Sequence, residues 1–275
     1  MNASADSLAL PDTPNTPGAV PRPGAYAPTI VGHRGASLVE SENTMAAFER
    51  AEADGATFVE CDVHLSRDGT PIIIHDESID RTADPAGPLA TGAVADLSDA
   101  QLASVDLLGG HPVPHLGELL AMRDLGLYVE VKVAEAAIAA ASLMHAQRPD
   151  HGARDTVISF VPEALRVVKA AAPHVQRGLI LDRARTGMWA LMEELECGWF
   201  SCSIDGITEA DVAEARRRGM RVNVWTVNAA EQLHKAVRLG VDSISTDDPA
   251  WAIRALPGAI ALRETDGAHK GARQS

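Results

Sequence analysis

Short apolar segments alternate with amphipathic ones along most of this chain, and that alternation limits its folds more than any other feature. The apolar segments are Thr29–His33, Thr57–Val63, Leu127–Lys132, Thr156–Phe160, Arg177–Leu181, Phe200–Ile204, Arg221–Val227 and Ser243–Thr246. Each has the length and the β-branched content of a buried strand. Helical signals lie between them. Asn43 reads as an N-cap, with Gly55 past the helix end. Leu116–Leu125 reads as a helix closing at Gly126, and Ala134–Gln147 as an alanine-rich one. A further helix opens on Pro162 and stops before Pro173. Met188, Leu191, Met192 and Leu195 share one helical face. Thr208 with Asp211, and Asn228 with Glu231, read as capped helix starts, and Pro249 opens a short last helix. Strands alternating with helices predict a parallel sheet. Eight such units predict an α/β fold, a closed (β/α)8 TIM barrel, since closure leaves no exposed edge.

Pro71–His75 also reads as a strand. Only His64–Thr70 separate it from the second strand, too short for a parallel crossover. It must therefore return antiparallel, as a β-hairpin that brings His75 back toward the barrel mouth. Residues 77–115 are then an insertion, rich in Asp, Gly and Pro, with a weak helical signal over Ser98–Val105. Loops of this length in a compact domain are functional or disordered. The Pro/Ser/Thr-rich residues 1–27 read as a flexible N-terminal tail, 28–261 as the barrel domain and 262–275 as a flexible C-terminal tail.

The formal net charge of -14 argues against nucleic acid and anionic membrane surfaces as partners. It leaves a small anionic substrate open, because a metal or a local cation overrides net charge. Three cysteines without a CxxC spacing fit buried free thiols rather than a disulfide framework. No secretory signal and no membrane span is legible, so a cytoplasmic location is expected.

Barrel chemistry sits at the strand C-termini. Residues i and i+2 of a strand share a face, so Glu60 and Asp62 point together on an otherwise apolar strand, as do Glu130 and Lys132 on the next one. Two buried like charges call for a cation; taken alone, the pair could equally be solvated acids at a strand end. With Glu130 they make an all-oxygen metal site suited to Mg²⁺ or Ca²⁺, with Mn²⁺ possible. Arg34 and Lys132 suit a phosphate. His33 and His75 suit general acid–base work near neutral pH. Trp225, on one face with Asn223, reads as either core or substrate wall, and Asp247 ends the last strand.

The segments HRGASLVESENTMAAFERA, VECDVHLSRDGTPIIIHDESIDRT, VEVK, VWTVN and STDDP resemble, in order from Thr29 to Pro249, the glycerophosphodiester phosphodiesterase family. The resemblance implies a TIM barrel, a divalent cation, and hydrolysis of a glycerophosphodiester to glycerol 3-phosphate and an alcohol. It implies His33 and His75 as the catalytic pair. It implies Arg34 and Lys132 as phosphate-binding residues and Glu60, Asp62 and Glu130 as metal ligands; Trp225 is expected to bind substrate on its placement alone. Ser41 replaces the usual proline before the ENT motif, and Val113–Glu118 departs from the family's common pattern; both border the mouth. Two alternatives compete with this reading. One is a lysophospholipase D-like or sphingomyelinase D-like enzyme on the same barrel, and the other is a catalytically silent barrel that binds a phosphate ester.

Overall fold

A computed structural model describes residues 26–150 and 154–271. Its centre is a barrel of eight parallel strands: β1 (Thr29–His33), β2 (Phe58–Leu65), β6 (Gly126–Val131), β7 (Asp155–Ser159), β8 (Gln176–Leu181), β9 (Trp199–Ser203), β10 (Arg221–Trp225) and β11 (Ser243–Thr246). β1 pairs with β11 on one side and β2 on the other, which closes the ring. The alternation in sequence thus becomes closure in space, as expected. β3 (Pro71–Ile73) pairs antiparallel with β2, Val63 opposite Ile73 and Leu65 opposite Pro71. The hairpin inferred from the short connection is present.

Eight main helices pack around the strands: α1 (Met45–Ala53), α3 (Leu116–Leu120), α4 (Ala136–Gln147), α5 (Pro162–Ala171), α6 (Met188–Glu194), α7 (Glu209–Arg217), α8 (Ala230–Leu239) and α9 (Pro249–Gly271). Apolar helix faces, such as Leu165 and Val168 of α5, bury against the outward-facing strand residues. Four helix readings need correction. Thr44 caps α1, accepting from Ala47 N at 3.2 Å, and Asn43 is released for another contact. α3 stops at Leu120, and Gly126 instead opens β6, because the Phe58 ring occupies the space a Cβ would need, 2.3 Å away. Ala229, not Asn228, is the N-cap of α8. α9 is long rather than short, because Trp251, Ile253, Leu256 and Ile260 continue its contact with the core.

The insertion is packed. It holds a 3-10 turn at Val94–Asp96, α2 (Asp99–Leu102) with a Ser98/Gln101 capping box, and the two-stranded β4 (Asp106–Leu107) and β5 (His111–Pro112). Ile72, Ile74, Ile79, Val94, Leu97, Leu102, Val105, Leu107 and Val113 give it a core of its own beneath the hairpin. The tail expected at residues 1–27 lies outside the described residues up to 25. Tyr26 is already anchored, its hydroxyl donating to Val241 O at 2.6 Å. Of the tail expected at 262–275, residues 262–271 continue α9 and 272–275 lie outside the described residues. Cys61, Cys197 and Cys202 are buried free thiols. Among the described residues no helix is long and apolar enough to cross a membrane.

Candidate active site

The strand C-termini surround a cavity of about 160 Å³ lined by His33, Arg34, Glu60, His75, Glu130, Lys132, Ile158, Phe160, Ile180, Ser201, Asn223, Trp225 and Ser245. Seven of the eight residues singled out from sequence line it. The eighth, Asp62, lies beneath, 1% exposed. The chain approaches this mouth sharply after β1. Arg34 sits at φ 55° and Gly35 at φ 84°. A Cβ on Gly35 would lie 2.5 Å from the Ala47 backbone, so only glycine fits there. The turn aims the Arg34 amide at Glu60, donating to Oε2 at 2.9 Å.

One carboxylate oxygen from each of Glu60, Asp62 and Glu130 lies within 4.8 Å of the others, and all three residues are buried. Two cations serve three acids. Lys132 Nζ lies 2.7 Å from Glu130 Oε1 and 3.3 Å from Asp62 Oδ1, and Arg34 Nε lies 3.2 Å from Asp62 Oδ2. The deficit falls on Glu60, whose Oε1 is buried without a hydrogen-bond partner. Burial first, then the Asp62 charge, push the Glu60 carboxyl up to about 8. Burial also raises Glu130, with Asp62 adding to it. Burial opposes ionisation of Asp62 too, but Lys132 and Arg34 outweigh it and hold its pKa low. A hard divalent cation fits this orphaned, all-oxygen set, which is negative overall once ionised.

Each histidine is backed by a carboxylate. His33 Nδ1 lies 2.6 Å from Asp247 Oδ1, and His75 Nδ1 lies 2.6 Å from Asp76 Oδ1. This pairing places the Nδ1 proton toward the acid and leaves Nε2 for the cavity. Burial pulls the His33 pKa down, but the Asp247 hydrogen bond and the Glu60 charge outweigh it, and the net shift is upward. Asp247 is itself held by Asn228 Nδ2 at 2.6 Å and by Ser37 Oγ at 3.0 Å.

Sequence reasoning missed the residues around these groups. Asn43, read as a cap, donates from Nδ2 to Asp62 Oδ2 at 2.8 Å. Asn228, read as a second cap, holds Asp247. Arg81 reaches both Asp76 (Nε to Oδ2, 2.6 Å) and Glu42 (Nη2 to Oε1, 2.7 Å), while Glu42 also accepts from Arg34 Nη1 at 3.0 Å. An unbroken ionic path thus runs from Arg34 through Glu42, Arg81 and Asp76 to His75. For Asn43 the signal was the Asn-Thr pair, in which only one residue can cap; the Arg81 path left none.

Hard oxygen donors, two cations and two carboxylate-backed imidazoles around one barrel mouth suit cation-assisted acid–base cleavage of a phosphate ester, the class of the barrel phosphodiesterases. Comparison with known proteins narrows that class. The model of the Glycerophosphoryl diester phosphodiesterase family matches residues 33–251, and the chain belongs to this family. The Glycerophosphodiester phosphodiesterase of Caldanaerobacter subterraneus subsp. tengcongensis is 30% identical over 232 residues, covering 82% of this chain and 96% of that protein. Human Glycerophosphodiester phosphodiesterase 1 is 27% identical over 255 residues, covering 74% and 73%. Among solved structures, an Oleispira antarctica phosphodiesterase in complex with the product sn-glycerol-3-phosphate superposes with a TM-score of 0.75 at 25% identity, covering 84% of this chain and 97% of that one. The Agrobacterium tumefaciens glycerophosphodiester phosphodiesterase superposes at 0.71 with 26% identity, covering 82% and 98%. Family membership carries the activity: a phosphoric diester hydrolase that converts glycerophosphodiesters to glycerol 3-phosphate and an alcohol.

Proposed function

We propose that His33 and His75 form the general acid–base pair of this hydrolysis. Glu60, Asp62 and Glu130 would hold Mg²⁺ or Ca²⁺, with Mn²⁺ a third candidate. Arg34 and Lys132 bind the phosphoryl group, and Trp225 walls the substrate. The observation that carries the reading is the convergence on one cavity of two histidines from separate segments, each with Nδ1 tied to a carboxylate.

The phosphoryl group binds beside Arg34 and Lys132, whose charges offset the negative charge that builds on its oxygens. One histidine takes a proton through Nε2 from the attacking oxygen, which bonds to phosphorus. This oxygen is either that of water, giving glycerol 3-phosphate directly, or the glycerol 2-hydroxyl, giving a cyclic phosphate that water then opens. The phosphorus–oxygen bond to the alcohol then breaks, and the other histidine returns a proton to the departing alkoxide. Asp247 and Asp76 keep each ring in the productive tautomer, and Asp247 also favours the protonated form of His33. A divalent ion held by Glu60, Asp62 and Glu130 would supply charge neutralisation to the phosphoryl group. Ser201, Asn223 and Ser245 also line the cavity, hydrogen-bonded to one another through the Asn223 amide.

His33→Ala and His75→Ala are each expected to lower kcat by about 10²-fold or more, the usual worth of a general acid or base. Near-wild-type turnover in either variant would overturn the assignment. A phospholipase-like alternative keeps one supporting observation: Leu38, Val39 and Leu108 are exposed around the mouth, where Ser41 bonds to Leu108 O. Phosphorus NMR of products from glycerophosphocholine and lysophosphatidylcholine separates the two readings.

A further inference from the structure

The acidic and imidazole groups all come from the β1, β2 and β6 side of the mouth. The opposite side carries an apolar stretch: Ile158 and Phe160 from the end of β7, Ile180 from β8, and Trp225 from β10. Phe160 and Trp225 meet edge to face, ring centres 5.6 Å apart. This stretch does not end the site. Phe160 and Ile180 also line a second cavity, about 310 Å³, whose other walls are Leu181, Asp182, Arg183 and Arg185. A substrate held by its phosphoryl group at Arg34 and Lys132 therefore has an annex beyond the apolar stretch.

Arg183 and Arg185 are exposed. Neither guanidinium has an ion pair or a hydrogen bond among the described residues. By contrast, Arg166 and Arg218 each bridge two carboxylates. The base of the arginine loop is fixed. The Arg185 amide donates to Met188 Sδ at 3.2 Å. The backbone of Gly206 packs so closely on Asp182 O that a Cβ there would come within 1.8 Å of it. The annex thus presents two uncommitted cations and one carboxylate, a net positive lining.

We propose that this annex is the subsite for the alcohol portion of the substrate, and that Arg183 and Arg185 select glycerophosphodiesters whose alcohol is itself anionic, carrying a second phosphate or a carboxylate. The proposal rests on the function given above and adds the substrate class. A guanidinium suits a phosphate or carboxylate by its paired, planar donors. Lying at a rim, it acts through encounter and through a salt-sensitive share of binding.

Three substrates with the same glycerophosphoryl group test it on the Mg²⁺-loaded full chain: glycerophosphocholine, glycerophosphoglycerol and bis(glycerophospho)glycerol. Their alcohols are cationic, neutral and anionic. The expected order of kcat/KM at low salt is anionic, then neutral, then cationic, compressing as salt rises. R183A/R185A should lower kcat/KM for the anionic substrate about five- to tenfold, the scale of two exposed charge contacts, and leave the neutral one within about twofold. R183K/R185K should keep part of the preference. Equal kcat/KM for all three alcohols in the wild-type enzyme would overturn the selection. An equal loss on all three in R183A/R185A would remove the annex as the alcohol subsite. A chain that hydrolyses none of them would instead overturn the proposed function itself, a result distinguishable from both.

Discussion

Asn43 and Asp62 grip each other in two directions. The Asn43 amide donates to Asp62 Oδ2 at 2.8 Å, and the Asp62 backbone amide donates to Asn43 Oδ1 at 3.3 Å. Asn43 holds the left-handed conformation, φ 58°, that lets its side chain face β2 rather than cap α1. Asn43→Gly keeps that backbone and removes the clamp. It should cost about 1–3 kcal/mol, the usual penalty for an unsatisfied buried group, and weaken Mg²⁺ binding. Denaturant melts and calorimetry would read both, and an unchanged Mg²⁺ affinity would show the clamp to be structural only.

With the Glu60 carboxyl pushed up to about 8, the proposed metal binding would be proton-linked. Its folded pKa exceeds its unfolded value, so its contribution to the metal-free protein is full below about 4.5 and is lost as pH rises through about 8. His33, also raised, acts in the same sense. Metal-free protein should therefore lose thermal stability from about pH 5 to 8, while saturating Mg²⁺ should offset the loss. Parallel melting curves that do not converge or separate with pH would refute the linkage.

The Asp247 hydrogen bond helps raise the His33 pKa. Asp247→Asn should move the limb of the pH–rate profile that reports His33 to lower pH and reduce kcat by about tenfold or more. An unmoved limb would place that titration on another group.

Arg81 does not line the cavity, yet it joins Asp76 behind His75 to Glu42 beside Arg34. With His75 in its proposed role, Arg81 is expected to act as a positioning residue. Arg81→Ala should lower kcat several-fold more than it raises KM, and Arg81→Lys should restore part of the loss, since one ammonium cannot span both carboxylates as a guanidinium does. A pure KM effect would contradict this role.

Gly126 faces the Phe58 ring on the paired strand, and that ring also contacts Tyr128 and lies under Arg154. Gly126→Ala must displace it. A loss of about 1–3 kcal/mol in unfolding free energy, typical of overpacking, is expected with little change in kcat. A neutral substitution would mean that the ring swings aside freely.

The parts of this molecule that were legible in sequence were the periodic ones. Glu60/Asp62 and Glu130/Lys132 could be aimed because strand side chains alternate, and the short His64–Thr70 connection left only a hairpin for Ile72–Ile74. Contacts between distant side chains had no such signature. Glu42 and Arg81 are 39 residues apart, and no local rule brings them together. Asn43 and Asn228 misled because an asparagine near a helix start caps it in most settings; here each serves a carboxylate at the mouth. The insertion hid its core because Ile79, Val94, Leu102 and Leu107 follow no helical or strand period. The length of α9 was missed because nothing in its own composition marks the end of an apolar face that the barrel supplies.

The seam between β1 and its neighbours has a consequence for synthesis. His33 sits near the start of the folded chain, and the carboxylate that orients it arrives 214 residues later, just past the last strand to leave the ribosome. Closing that loop is entropically slow and can be rewarded only once β11 is available. A nascent chain that already holds all three acids and both histidines is thus still an open sheet without an oriented His33. Hydrolytic competence is expected only in chains extending past Asp247, which truncations ending just before and just after that residue would check.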